Sequence, residues 1–335
     1  GCVDTTADLE IIRALLGQQA DGATTTHRTY LPLLRHARSL FEDSKLKEVL
    51  APCACPSPKH DGDEAVTMTD RLARNWLQRG GKRFRAFITL AAYAVGTHGP
   101  DAVSSDVDGG TFLNGPVESV AVAIEALHKA SLVHDDIEDG DTHRYGEPTL
   151  HNQYGIETAI NVGDYLIGLG YRLTAQSRAM LGAESVADIL EKLSSAHLQL
   201  CSGQGTELWH DGDSELRPAD ALQIGALKTA PAFEVALYAG LRAADVDFDR
   251  DWLRRFSTFV GEAYQVANDL NDWDNAEHKQ APGGDAVAKR PTILRAFAVH
   301  ADEGSVADVF DRYDGEELSR HLYELYEELG AFERA

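Results

Sequence analysis

Between Glu125 and His151 the chain reads EALHKASLVHDDIEDGDTHRYGEPTLH, and its acids and bases fall at spacings that can do chemistry. The run from Val117 through Val133 is apolar nearly all round, yet Glu125, His128, Asp135, Asp136 and Asp139 follow one another at helical steps. On a helix those steps form a single stripe. A carboxylate taken out of water is costly unless it is paired or bound to metal, so acids on an apolar helix require cationic partners. Asp135 and Asp139, one turn apart, make a mount for a hard divalent cation, with Mg²⁺ carrying phosphate oxygens the best fit.

Two further clusters extend the pattern. A basic turn, GGKRFR from Gly80 to Arg85, precedes the stripe, and a second acidic cluster, NDLND from Asn268 to Asp272, closes another apolar helical run. Lys82 and Arg85, three apart at a predicted helix start, are expected to share a face where backbone amides also favour an anion. Lys228-Thr229 interrupts the apolar run ALQIGALKTAPAFEVAL, so its ammonium either snorkels or meets an anion.

In this order GKRxR, DDxxD, Lys-Thr and Gln-x-x-Asn-Asp-x-x-Asp, the chain resembles the trans-isoprenyl diphosphate synthases, or polyprenyl synthetases, over roughly residues 70 to 295. The resemblance implies an all-α fold with helices around a deep cavity and the two aspartate motifs facing each other across its mouth. It implies a homodimer whose substrates are an allylic diphosphate and isopentenyl diphosphate, and three Mg²⁺ ions once diphosphate is bound. Asp135 and Asp139 would hold two metals, supported by Asp136, and Asp269 and Asp272 would help hold the third. Arg144, Lys228 and Lys279 would contact the allylic diphosphate, with Thr229, Gln265 and Gln204 completing the constellation. Lys82, Arg85 and His128 would bind the acceptor diphosphate without metal. Leu127, Ala130 and Ser131 would line the path of the growing tail. Because Ala130 and Ser131 are small, the resemblance implies a product of geranylgeranyl length or longer, with Leu127 as its floor.

Three departures bear on activity. Ala86 stands where the family commonly has proline, a minor change. Tyr145 follows Arg144 where a second arginine serving the acceptor is usual, which predicts a weakened acceptor site and a gain from Tyr145→Arg. Asn268 begins the second motif where Asp is typical. The last two lean toward class I terpene synthases, which ionise a prenyl diphosphate without an acceptor and whose second motif runs N-D-x-x-S/T-x-x-x-E. Asp272 occupies the Ser/Thr place, however, and Glu277 comes one residue late. A non-catalytic partner subunit is a third possibility, against which the intact DDIED argues.

These groups must be held by helices. Apolar periodicity predicts them at about 30–50, 66–78, 83–96, 116–139, 155–181, 185–204, 218–242, 250–273, 291–301 and 315–329, after a short one within the first 28 residues. No alternation is long enough to argue a strand. Polar breaks at Thr97–Pro116 and Gln280–Ala288 read as loops. The organisation expected is a helical extension over residues 1–65 and one large helical bundle over 66–335, of about ten to twelve helices in all. Composition agrees. With 335 residues, 43% hydrophobic, and no apolar run long enough to span a bilayer, the chain reads as globular and cytoplasmic. A net charge of −23 excludes a general nucleic-acid binder and means that any diphosphate site must be rebuilt locally from Lys, Arg and metal. Only nine of the 31 basic residues are lysine, a bias that suits either a salty cytoplasm or GC-rich coding. Four cysteines, irregularly spaced, make no disulfide framework.

Overall fold

A computed structural model describes residues 30–53, 64–99, 102, 115–210, 216–274 and 282–335. The helix expected within the first 28 residues, Lys279 and most of the break Thr97–Pro116 lie outside them. The fold is all-α, as the periodicity predicts. Its helices are α1 (Leu31–Ser39), α2 (Asp43–Leu50), α3 (Glu64–Gln78), α4 (Phe84–His98), α5 (Gly115–Glu138), α6 (Leu150–Tyr154), α7 (Ile156–Gln176) and α8 (Arg178–Leu181), followed by α9 (Ala183–Leu208), α10 (Pro218–Ala243), α11 (Arg250–Asp274), α12 (Gly284–Val287), α13 (Ile293–Arg312), α14 (Gly315–Glu328) and α15 (Ala331–Arg334). Among the described residues no helix is long and apolar enough to cross a membrane.

The chain divides into two compact units. One comprises the described residues from 30 to 195 together with Glu234–Leu253. Here α5 is the spine, packed against α7 along much of its length and flanked by α4. The 24-residue α5 buries residues on every side, including Val117, Ala121, Ile124, Ala126, Ala130 and Val133, which is why its pattern is apolar all round. Leu33 of α1, Leu46 and Leu50 of α2, and Leu40 and Phe41 between them join the same core, so residues 31–50 are part of this unit's packing. The other unit comprises Ala196–Phe233 and Arg254–Ala335, with a core of Leu216, Trp273, Ile293, Leu322 and Tyr326.

Local chemistry redraws three boundaries. The expected helix over 30–50 breaks between Ser39 and Asp43, where Glu42 leaves helical geometry with ψ of 146°. The stretch 155–181 ends as one helix at Gln176, where the hydroxyl of Ser177 turns back to donate to the carbonyls of Leu173 and Pro116. The helix predicted to stop near 301 does leave helical geometry at Asp302, whose carboxylate accepts from the Ser305 amide at 3.0 Å and starts the next turn. The additions are the short helices α6, α12, which lies in the break read as a loop over Gln280–Ala288, and α15, and a small antiparallel hairpin, β1 (His143–Arg144) and β2 (Glu147–Pro148), with Arg144 opposite Glu147. Tyr145 and Gly146 at its tip both have positive φ, 56° and 76°, the combination a two-residue primed turn requires.

Candidate active site

In the α5 unit the predicted stripe forms. The Asp139 amide bonds to the Asp135 carbonyl at 2.8 Å, so the helical turn continues to Asp139 and sets the two carboxylates one turn apart. Asp136 is buried and ion-paired with the Arg144 guanidinium, which also reaches Asp141 at 3.3 Å. Burial pushes the Asp136 carboxyl up to about 6 against the pull of Arg144. Asp136 therefore anchors Arg144. Among the described residues no three His, Cys, Asp or Glu side chains form a ready-made cage. Mg²⁺ binds through one or two carboxylates and keeps its other positions for water and phosphate.

The basic turn is built differently from expectation. Helix α4 begins at Phe84, and Arg83 before it sits in the left-handed region with φ of 60°. Lys82 thus precedes the helix, exposed, and does not share a helix face with the half-buried Arg85. Arg83 itself, passed over by the spacing argument, is 5% exposed. Its guanidinium donates to the carbonyls of Leu77, Gln78 and Arg79 at 2.8, 3.0 and 3.3 Å, closing the end of α3, and pairs with Glu125 at 3.0 Å. Glu125 thus finds the cationic partner its burial demands.

Lys129, one turn beyond Glu125, is 0% exposed. Its ammonium donates to the Arg79 carbonyl at 2.5 Å and lies 3.4 Å from that of Gly80. It also lies 4.1 Å from the centre of the Tyr145 ring and 5.6 Å from that of Trp76, whose indole donates to the Lys129 carbonyl at 2.9 Å. Gly80 has no alternative here: with φ of 40°, a Cβ would also stand 2.5 Å from Cγ of Tyr145. Burial, Arg83 and Arg144 lower the Lys129 ammonium to about 7, opposed by Glu125 and Asp136. His128 is held well below its usual range by burial and then by Arg85, Lys129, Arg144 and Arg83. It is a neutral imidazole among cations, able to donate one hydrogen bond to an anion that those cations attract. Of the expected tail-lining residues, Ala130 is fully buried in the core, Ser131 is half-buried with its hydroxyl on the His128 carbonyl, and Leu127 packs against Gly170 of α7.

The other unit holds the second cluster. Gly203 of α9 and Gly261 of α11 admit close approach to the α10 backbone, since a Cβ on either would lie 2.7 Å from it at Leu227 and Ala230 respectively. Between them Lys228 pairs with Glu207 at 2.6 Å, so its anion here is a carboxylate of the GQGTEL segment, whose Gln204 is half-buried. Thr229 donates to Gln265 at 3.4 Å, and Gln265 donates to Asp269 at 3.0 Å. The second Asp269 oxygen accepts the Ile293 amide at 2.8 Å, and Asp272 accepts the Asp285 amide at 3.0 Å. Asp269, 3% exposed, is pushed up to about 7 by burial. Both acids thus hold the chain that returns after the second motif. Asn268, one position before Asp269, is exposed.

Residues 66–329 match the family model described as polyprenyl synthetase. The chain is similar to a geranylfarnesyl diphosphate synthase of Natronomonas pharaonis, 30% identical over 233 residues that cover 68% of this chain and 67% of that protein. It is also similar to an octaprenyl diphosphate synthase of Escherichia coli, 28% identical over 264 residues covering 77% and 75%. Its fold matches the crystal structure of a polyprenyl synthase from Caulobacter crescentus, complexed with calcium and isoprenyl diphosphate, with a TM-score of 0.70 and 25% identity over 91% of this chain and 86% of that one.

Proposed function

This chain belongs to the polyprenyl synthetase family and is a prenyltransferase, and from that premise we propose that it adds isopentenyl units head to tail onto an allylic diphosphate, to geranylgeranyl length or longer. The observation that carries the proposal is the division of labour along α5. His128, held neutral by burial and then by the charges of Arg85, Lys129, Arg144 and Arg83, suits a metal-free diphosphate acceptor. Two turns on, Asp135 and Asp139 offer hard oxygen ligands suited to Mg²⁺. Mg²⁺ there supplies the charge that stabilises a departing pyrophosphate.

The chain's own groups do the rest. Lys82 and Arg85 bind the acceptor diphosphate, and His128 donates to it as a neutral imidazole. Arg144, oriented by Asp136 and Asp141, waits beside the metal-binding carboxylates to meet the allylic diphosphate. In the other unit Lys228 exchanges Glu207 for the same kind of anion, and Asn268 is the accessible oxygen donor of the second motif. Residues 66–335 carry this activity, and Ser131 and Leu127 set the tail length. Lys279 is assigned to the allylic diphosphate on the motif alone.

A class I terpene synthase would need no cationic acceptor site, and the cations whose charge acts on His128 argue for an acceptor. The test is incubation with Mg²⁺ and each allylic diphosphate in turn, with and without isopentenyl diphosphate, and mass spectrometry of the products. Elongated diphosphates are expected only with the acceptor present. A hydrocarbon or alcohol from the allylic substrate alone, with no elongation at millimolar acceptor, would replace this function with the cyclase one.

A further inference from the structure

The connection from α3 to α4 is wrapped around two buried cations; Glu125 pairs with Arg83, while Asp136, the other buried carboxylate acting on Lys129, is itself ion-paired with Arg144. Arg83 and Lys129, 5% and 0% exposed, share Glu125, at 2%. The space beside Gly81 brings the groups together: a Cβ there would lie 3.5 Å from the Tyr145 hydroxyl, 3.7 Å from the Lys129 ammonium and 3.9 Å from Glu125 Oε1. Gly81 itself is exposed, so this surplus of positive charge lies just beneath the surface, with Lys82 the next residue of the turn and His128 next to Lys129 on α5. In a low-dielectric setting such a surplus is costly unless an anion approaches.

The Tyr145 ring covers the ammonium from outside. It is held there although φ of 56° is unfavourable for a tyrosine, and Arg79 fastens the same hairpin through Glu147 at 3.2 Å. A strained residue kept in place by a contact points to a use for that contact. We propose that Lys129 furnishes the positive charge of the acceptor-diphosphate site, acting as a positioning residue through the Arg79–Gly81 turn, and that Tyr145 is the lid this buried ammonium requires. The inference rests on the prenyltransferase function proposed above and deepens it. It also reverses the expectation that Tyr145→Arg repairs a weakened site, because a guanidinium placed where the ring now lies would face an ammonium.

The experiment compares Lys129→Met, Tyr145→Arg, the double variant and Tyr145→Phe by steady-state kinetics. Lys129→Met is expected to raise the KM for isopentenyl diphosphate about tenfold or more, leaving the allylic KM within about twofold and kcat nearly intact. Tyr145→Arg alone is expected to raise the acceptor KM as well, the double variant to restore much of the loss, and Tyr145→Phe, which keeps the ring, to change little. An unchanged acceptor KM in Lys129→Met, an equal rise in both KM values, or a lower acceptor KM in Tyr145→Arg alone would each overturn the proposal. Calorimetric titration of inorganic pyrophosphate in excess chelator reads the same pair without turnover. If the unmodified protein elongates nothing, the function fails, while loss of this metal-free binding in Lys129→Met and its return in the double variant still support the pair. Should Lys129→Met not fold, Lys129→Arg and Tyr145→Arg carry the test: the first is expected to retain pyrophosphate binding and the second to weaken it. The opposite order overturns the proposal.

Discussion

The carboxylate of Asp269 accepts the backbone amide of Ile293, the first residue of α13, at 2.8 Å, while Gln265 occupies its other oxygen at 3.0 Å. An acid so engaged and only 3% exposed closes the fold of its unit, and Asn268 beside it is the position open to solvent. Asp269→Ala is therefore expected to act first on stability, costing about 1–3 kcal/mol for each donor left without an acceptor. Asn268→Asp is expected to leave the melting temperature nearly unchanged and lower the Mg²⁺ concentration for half-maximal activity severalfold. Thermal unfolding and a Mg²⁺ titration separate the two. An unaltered Tm in Asp269→Ala would show that metal binding, and not the fold, is what Asp269 serves.

The first motif should behave in the opposite way. Asp135 and Asp139 are half-buried, one turn apart, and neither is part of the core. Asp135→Asn and Asp139→Asn are each expected to weaken Mg²⁺-dependent diphosphate binding by more than about tenfold in a folded protein, since each removes a charged hard ligand. Calorimetry with a non-reactive diphosphate checks this. Equal binding with and without either carboxylate rules out the mount.

The spine and its stripe were legible because an apolar run with polar residues at helical steps has few other solutions. The basic turn was only half legible. Lys82 and Arg85 stand three apart, but the shared helix face they imply needs Arg83 to be helical, and Arg83 instead turns left-handed to close α3 with its side chain. No local pattern announces that, because its acceptors belong to the preceding helix and its counter-ion, Glu125, lies 42 positions away. Lys129 escaped for the same reason. A lysine four residues after Glu125 reads as an ordinary helical pair, and only the fold reveals that it is buried against two carbonyls and a ring from other segments. Likewise Glu207 was visible in sequence only as the acid after Gln204, and the packing of α9 on α10 makes it the partner of Lys228.

Tail length is expected to respond to Ser131 more than to Ala130. Ala130 is 0% exposed in the packed core, so Ala130→Phe overfills it and is expected to cost about 1–3 kcal/mol in stability. Ser131 is half-buried and makes only a local hydrogen bond to the His128 carbonyl. Ser131→Phe is expected to shorten the product by one or more isoprene units with little change in Tm, read by mass spectrometry of the product diphosphates. Unchanged products from a stable Ser131→Phe would place the floor elsewhere.

The last expectation is a pH dependence with two opposite signs from one group. The Lys129 ammonium titrates near 7 in the folded protein and near 10.5 in the unfolded chain. Between those values the unfolded state holds the proton and the folded state has lost it, so this group makes stability rise with pH across the window. The groups that set its folded value are Arg83, Glu125, Arg144 and Asp136, with Tyr145 and Trp76 covering the ammonium. The difference in Tm between the unmodified protein and Lys129→Met is therefore expected to shift in favour of the unmodified protein as pH rises from 7 toward 10. Acceptor binding runs the other way. As the ammonium loses its proton above pH 7 the acceptor site loses charge, and the KM for isopentenyl diphosphate is expected to climb in the unmodified protein more steeply than in Lys129→Met. Bound diphosphate favours the charged form, so the ammonium holds its proton to higher pH in the acceptor complex than in the free enzyme, whose value the fall in kcat/KM reports. Parallel KM profiles for the two proteins between pH 6.5 and 9 would show that Lys129 stays outside the chemistry of the acceptor site.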